Sequence, residues 1–179
     1  IILILTMILD KLKKLEIESI NRGIPIIGFN KGKNLLQKIE QIKPKNVLEL
    51  GTANGYSGII LTSTCAKLYT IDIDKRMQDE AKLNFDKFNI NYEIINGDAV
   101  DEIKKFENNF FDIVFIDFAK KKYIDVLDDA IRVTKKKGLI IADNINMEKC
   151  QDFVKAIATT NKLNTTVDKL NDLSFSIKL

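Results

Sequence analysis

The stretch VLELGTANGYSG, residues 47–58, decides the fold. It runs from a short apolar strand, past Glu49, through Gly51, Gly55 and Gly58, into a helical segment. Glycines make such a turn tight and let backbone amides approach a ligand. The spacing is G-x-x-x-G-x-x-G, which differs from the G-x-G-x-x-G of dinucleotide-binding turns, and no G-K-[ST] of a phosphate-binding loop follows. Strand, glycine turn and helix in that order form the opening unit of an α/β sheet, with ligands expected at the strands' carboxyl ends.

Outward from this stretch, short β-branched runs alternate with helical patterns. NVLEL (46–50), LYTIDI (68–73), YEIIN (92–96), FDIVFID (111–117) and GLIIAD (138–143) read as buried strands. Between them, Met77, Ala81, Phe85 and Phe88 form one apolar stripe over 75–89, and Leu127, Ala130, Ile131 and Thr134 form another over 123–134. Alternation of this kind implies right-handed crossovers and a parallel sheet. After a helix at about 148–162, NTTVDKL and DLSFSIKL are strand-like runs around Asn171-Asp172, spaced to pair as an antiparallel hairpin. Two helices, 7–21 and 31–42, precede the first strand and are broken at NRGIPIIGFNKG. The expectation is a single domain over 1–179, with N-terminal helices in 1–45 and a Rossmann-like core in 46–179. That core is a doubly wound α/β sheet of seven strands, five parallel plus a C-terminal antiparallel hairpin.

The chain has 179 residues, 45% of them hydrophobic, enough for one substantial core. Its net charge of +3 is too slight to argue for nucleic acid by itself. The charge is uneven, however: residues 1–45 hold nine Lys/Arg against four acids. This is either a solvated helix face or a patch for a polyanion. Histidine is absent, which excludes His triads, His general bases and His-containing zinc sites. Two distant cysteines, Cys65 and Cys150, with no C-x-x-C, are expected to be free buried thiols of a reducing cytoplasm. The apolar opening of residues 1–9 is too short to span a bilayer and lacks the marks of a secretory leader; Met7 is a candidate start. A cytoplasmic protein with no membrane partner is the expectation.

The polar residues at strand ends carry the chemistry. Asp72 ends the second strand, 21 residues after Gly51, where a carboxylate can accept ribose hydroxyls. Asp98, in NGDA (96–99), suits an adenine amino group or a helix N-cap. An acid beside the loop, Glu49, would repel a pyrophosphate but tolerates the sulfonium of S-adenosylmethionine. An NAD-linked oxidoreductase and a non-catalytic cofactor-binding module remain as alternatives. Asp117 ends the fourth strand, and Asp143 and Asn144 end the fifth, 26 residues later. Neighbouring parallel strands would bring these together, and two carboxylates with an amide oxygen suit Mg²⁺ or another divalent cation. Lys120 sits three residues past Asp117, within reach of that site; Lys121 and Lys122 read as solvated and Tyr123 as core-facing.

Taken in order, LELGTANGYS, IDID, GDA, FDIVFIDFAKKKY and GLIIADN resemble the cation-dependent O-methyltransferases of the catechol and caffeoyl-CoA type, over about residues 24–179. The resemblance implies metal ligands at Asp117, Asp143 and Asn144 and a catalytic lysine at Lys120. It implies S-adenosylmethionine contacts at Ile27, Glu49, Gly51, Ser57, Asp72, Asp98, Ala99 and Asp117. It also implies a homodimer and a small hydroxylated acceptor; the basic N-terminal quarter and the pared-down pocket keep a tRNA hydroxyuridine as the alternative acceptor. Two departures concern the acceptor pocket. INMEKCQDF follows Asp143-Asn144 directly, without the longer insertion of plant and animal members, and Phe118-Ala119 replaces the usual small acidic residue before the lysine.

Overall fold

The computed structural model describes residues 2–179, with side chains from residue 8 onward. The side chains of Met7, the candidate start, and of the apolar opening before it are outside what is described. Two helices, α1 (Ile2–Asn21) and α2 (Gly28–Ile42), precede the sheet. Helix α2 starts three residues earlier than its apolar pattern predicts. Gly28 at φ +68° turns the chain into it, and Glu16 Oε1 on α1 accepts from the Phe29 amide at 2.8 Å. That cap comes from another helix, so no local signal could announce it.

The sheet comprises β1 (Asn46–Leu50), β2 (Lys67–Asp72), β3 (Asn91–Asn96), β4 (Phe111–Ile116), β5 (Thr134–Asp143), β6 (Leu163–Asp168) and β7 (Leu173–Lys178). Their spatial order is β3-β2-β1-β4-β5-β7-β6. The first five are parallel; β7 runs antiparallel to both β5 and β6. Strand order reverses between β1 and β4, so a cleft must open beyond their carboxyl ends. Helices α3 (Tyr56–Leu61), α4 (Lys75–Lys87), α5 (Ala99–Glu102), α6 (Tyr123–Val133) and α7 (Gln151–Thr159) complete the fold.

The central strands are apolar on both faces because both faces are covered. Val47, Ile113, Phe115 and Ile141 pack with Leu12, Leu35, Ile39 and Phe85 on the side of α1 to α4. Their neighbours Leu48, Leu50, Val114, Ile116 and Ile140 pack with Val126, Ala130, Phe153 and Ile157 on the side of α6 and α7. Each such buried side chain is worth roughly 1.5–3 kcal/mol in transfer from water, so two layers on one sheet hold the strand ends firmly.

Three details differ from the sequence pattern. Strand β5 begins at Thr134, ahead of the expected 138, with Lys137 at φ +64° and a register shift against β4 marking a bulge. The helix expected at 148–162 is a 3₁₀ turn, Glu148–Cys150, followed by α7. Both thiols are free as expected, but Cys65 is exposed at φ +68° in the turn before β2, and Cys150 alone is buried. Among the described residues, no helix is long and apolar enough to cross a membrane.

Candidate functional site

A cleft of about 600 Å³ opens where the topology requires it, at the ends of β1, β2, β4 and β5. Its geometry starts at Gly51. The Gly51 amide donates to Ile71 O and the Asp117 amide to Leu50 O, both at 2.9 Å, which ties the ends of three strands together. Gly51 has φ +104°, and a Cβ there would stand 2.0 Å from Asp117 O. Only glycine permits the glycine turn and the end of β4 to touch.

Within the turn, the Thr52 and Ala53 amides donate to Asp72 Oδ2 at 2.9 and 3.0 Å, and the Asp74 amide to Asp72 Oδ1 at 2.9 Å. Two loop amides that a pyrophosphate would need are thus already given to a carboxylate, which argues against a dinucleotide. Asp72 still lines the cleft, and a carboxylate offers about four acceptor positions, so capacity is left for a ribose.

Glu49 is fully buried and lies behind the cleft wall. Ser57 Oγ donates to its Oε1 at 2.5 Å and Thr70 Oγ1 to its Oε2 at 2.7 Å, and Thr70 is in turn paired with Thr52 Oγ1 at 2.7 Å. Burial pushes its pKa up to about 8, against the Ser57 and Thr70 hydrogen bonds, with the charges of Asp117 and Asp72 adding to the rise. Glu49 does not itself line the cleft; Ser57, which donates to it, does.

Asp98 is the N-cap that its position suggests. It caps α5 by accepting from the Val100 amide at 3.0 Å, and with Ala99 it lines the cleft. Lys122 was expected in solvent, but it also lines the cleft and pairs with Asp98 Oδ2. That ammonium, more than the Val100 amide, holds the Asp98 carboxyl below its ordinary range. Ile27 forms part of the opposite wall with Pro25 and Ile26.

The far end of the cleft holds the candidate metal ligands Asp117, Asp143 and Asn144, together with Lys120. Lys120 Nζ is 2.5 Å from Asp117 Oδ1 and 5.4 Å from the centroid of the buried Tyr123 ring. Asp143 is 2% exposed; burial first, then repulsion from Asp117, raises it to about 6. Asn144, at φ +57°, sends its side-chain amide nitrogen toward Asp172 Oδ2 at 3.4 Å, which leaves its amide oxygen available. Among the described residues, no group of three or more Asp, Glu, His or Cys gathers to hold a metal. Two carboxylates and an amide, all hard oxygen donors, nonetheless fit Mg²⁺, which keeps several water or substrate oxygens in its shell.

A profile of the O-methyltransferase family matches residues 5–172. The chain belongs to the O-methyltransferase family. A catechol O-methyltransferase of Niastella koreensis is 32% identical over 133 residues, covering 69% of this chain and 60% of the relative. One of Mycobacterium tuberculosis is 27% identical, covering 66% of this chain and 56% of the relative. The chain thus spans about 60% of the length of the curated relatives it matches. In solved structures, the fold recurs in an O-methyltransferase from Bacillus cereus in complex with SAH, with a TM-score of 0.79 and 21% identity, covering 97% of this chain and 91% of that one. It recurs also in an O-methyltransferase of tomaymycin synthesis from Streptomyces achromogenes in complex with SAM, with a TM-score of 0.80 and 18% identity, covering 93% and 88%.

In this O-methyltransferase family member, two polar residues beside Asp143 and Asn144 escaped the sequence pattern. Lys31 pairs with Asp143 and lies 3.3 Å from Asp172 Oδ2. Burial alone would lower the Lys31 pKa, but its two acid partners outweigh burial and raise it. Only the break at IPIIGFNKG, which brings α2 against the cleft, hinted that one lysine of the basic N-terminal quarter would turn inward.

Proposed function

We propose that this chain is an S-adenosylmethionine-dependent O-methyltransferase acting on a small hydroxylated acceptor, with a divalent cation held by Asp117, Asp143 and Asn144. The observation that carries this reading is a shared wall. Asp72, Asp98 and Ser57 on the cofactor side, and Asp117, Lys120, Asp143 and Asn144 on the other, line one cleft. The names of the catechol O-methyltransferase relatives support it.

Asp72 and Asp98 hold the nucleoside. Asp117 belongs to both halves, because Gly51 presses the cofactor loop against its carbonyl. A divalent cation at the three oxygen donors supplies Lewis acidity, which makes an acceptor hydroxyl easier to ionise. Lys120, held by Asp117 and the Tyr123 ring, is the group placed to accept or orient that proton at Nζ. The acceptor oxygen then forms a bond to the methyl carbon as the carbon–sulfur bond breaks and its electron pair returns to sulfur. Alignment of oxygen, carbon and sulfur by the cleft walls is the large contribution of the protein.

The acceptor class is tested with radiolabelled S-adenosylmethionine and Mg²⁺, offering catechol in one arm and bulk tRNA in the other. Label on catechol and none on tRNA is expected. Label on tRNA alone would replace the small acceptor, and label on neither would remove the activity.

A further inference from the structure

The metal end carries more positive charge than its proposed chemistry uses. Each of the two candidate ligand carboxylates already has its own lysine: Lys120 on Asp117, and Lys31 on Asp143. Lys31 comes from the first turn of α2, 112 residues away from Asp143 in sequence. Its side chain is only 20% exposed. Helix α2 is amphipathic and has a solvent face, so a lysine turned inward needs a reason. Asp143 provides one, because a carboxylate buried this deeply requires a counter-charge or must take up a proton.

Lys31 also has a second acceptor in place. Asp172 Oδ2 stands 3.3 Å from its Nζ. Asp172 has φ +57°, a backbone region that L-residues rarely occupy, and it is held there by accepting from the Asn146 amide at 2.7 Å and from Asn144 Nδ2 at 3.4 Å. The second acceptor is therefore preorganised beside the first.

We infer that Lys31 is the resident counter-cation of the metal centre: it neutralises Asp143 while no divalent ion is bound, and moves onto Asp172 when one arrives. This rests on the metal site proposed above. An ammonium and a divalent cation compete for the same oxygen, so Lys31 lowers the affinity for the ion. Asp172 eases that competition by giving the displaced ammonium a partner. Lys31 is a positioning residue, acting through Asp143 and not on the substrate.

The test is Mn²⁺ binding to the purified full chain without cofactor, measured by electron paramagnetic resonance and calorimetry. Lys31→Met should tighten Mn²⁺ binding by about tenfold, the order expected for removing a nearby unit charge from a partly buried site. Asp172→Asn should weaken it several-fold, because Lys31 then has only Asp143. In the double variant the Asp172→Asn effect should vanish, a coupling that only interacting residues give. A merely structural Lys31 predicts the opposite sign, looser binding on Lys31→Met. Unchanged or weaker binding in Lys31→Met, or an undiminished Asp172→Asn effect in the double variant, overturns the inference alone. No Mn²⁺ binding by the parent and every variant overturns the metal site and the inference together. Lys31→Gln, which keeps a donor for Asp143 without the charge, is read the same way and covers a failure of Lys31→Met to fold; Lys31→Arg should restore parental affinity.

Discussion

At the scale of single residues, Lys120 is pinned between the Asp117 carboxylate, at 2.5 Å, and the face of Tyr123. It touches neither the glycine turn nor Asp72. Lys120→Ala should therefore lower turnover by about 10²–10⁴-fold, the usual worth of a positioned acid or base. S-adenosylmethionine affinity by calorimetry should stay within a few-fold; retained turnover would remove the lysine from the chemistry. Glu49 makes a different prediction. Its pKa of about 8 lies above the ordinary 4.5, so the folded chain holds a proton that the unfolded chain has lost between these values. Stability from this group is full below about pH 4.5 and falls as pH rises through about 8. Urea unfolding should show that fall, and Glu49→Gln, which cannot ionise, should flatten the 4.5 to 8 window relative to the parent. The residue identities of Asp117, Asp143 and Asn144 were readable in sequence because strand ends of a parallel sheet must meet. Lys31 and Asp172 were not, since their meeting depends on how a helix and a hairpin tip pack from opposite ends of the chain.

At the scale of elements, the strands were legible because burial on both faces demands continuous β-branched and aromatic runs. The buried ends of β1, β2 and β4 fell within a residue of their patterns for that reason. Boundaries set by distant partners were not legible. Helix α2 starts early on a cap from Glu16, and β5 extends back through lysines because Lys135 pairs with Asp112 at 2.6 Å on β4. The glycine turn is the most constrained element. A Cβ on Gly51 would meet backbone, at 2.0 Å from Asp117 O, and no side-chain rotation can relieve that contact. Gly51→Ala should cost more than about 2 kcal/mol in urea unfolding, since φ strain and a backbone clash add. Gly23, whose added Cβ meets nothing within 4 Å, is the control: Gly23→Ala carries φ strain alone and should cost about 1 kcal/mol.

At the scale of the whole molecule, the basic N-terminal quarter is partly consumed by internal pairs. Arg22 forms a two-pronged pair with Glu80 at 2.7 and 2.8 Å, Lys31 serves Asp143 and Asp172, and Lys14 lies 3.8 Å from Glu18. This leaves less free positive charge for a polyanionic partner than the nine Lys/Arg alone imply. The two layers of core fix the sheet, the sheet fixes the strand ends, and the strand ends set a cofactor wall beside a cluster of oxygen donors. On the proposed function, this cluster holds a divalent cation for methyl transfer. The most direct measurement is transfer of label from S-adenosylmethionine to catechol after exhaustive chelation, then after addition of Mg²⁺. Silence after chelation and recovery with Mg²⁺ are expected; undiminished transfer by the chelated protein would show that the cluster holds no catalytic metal.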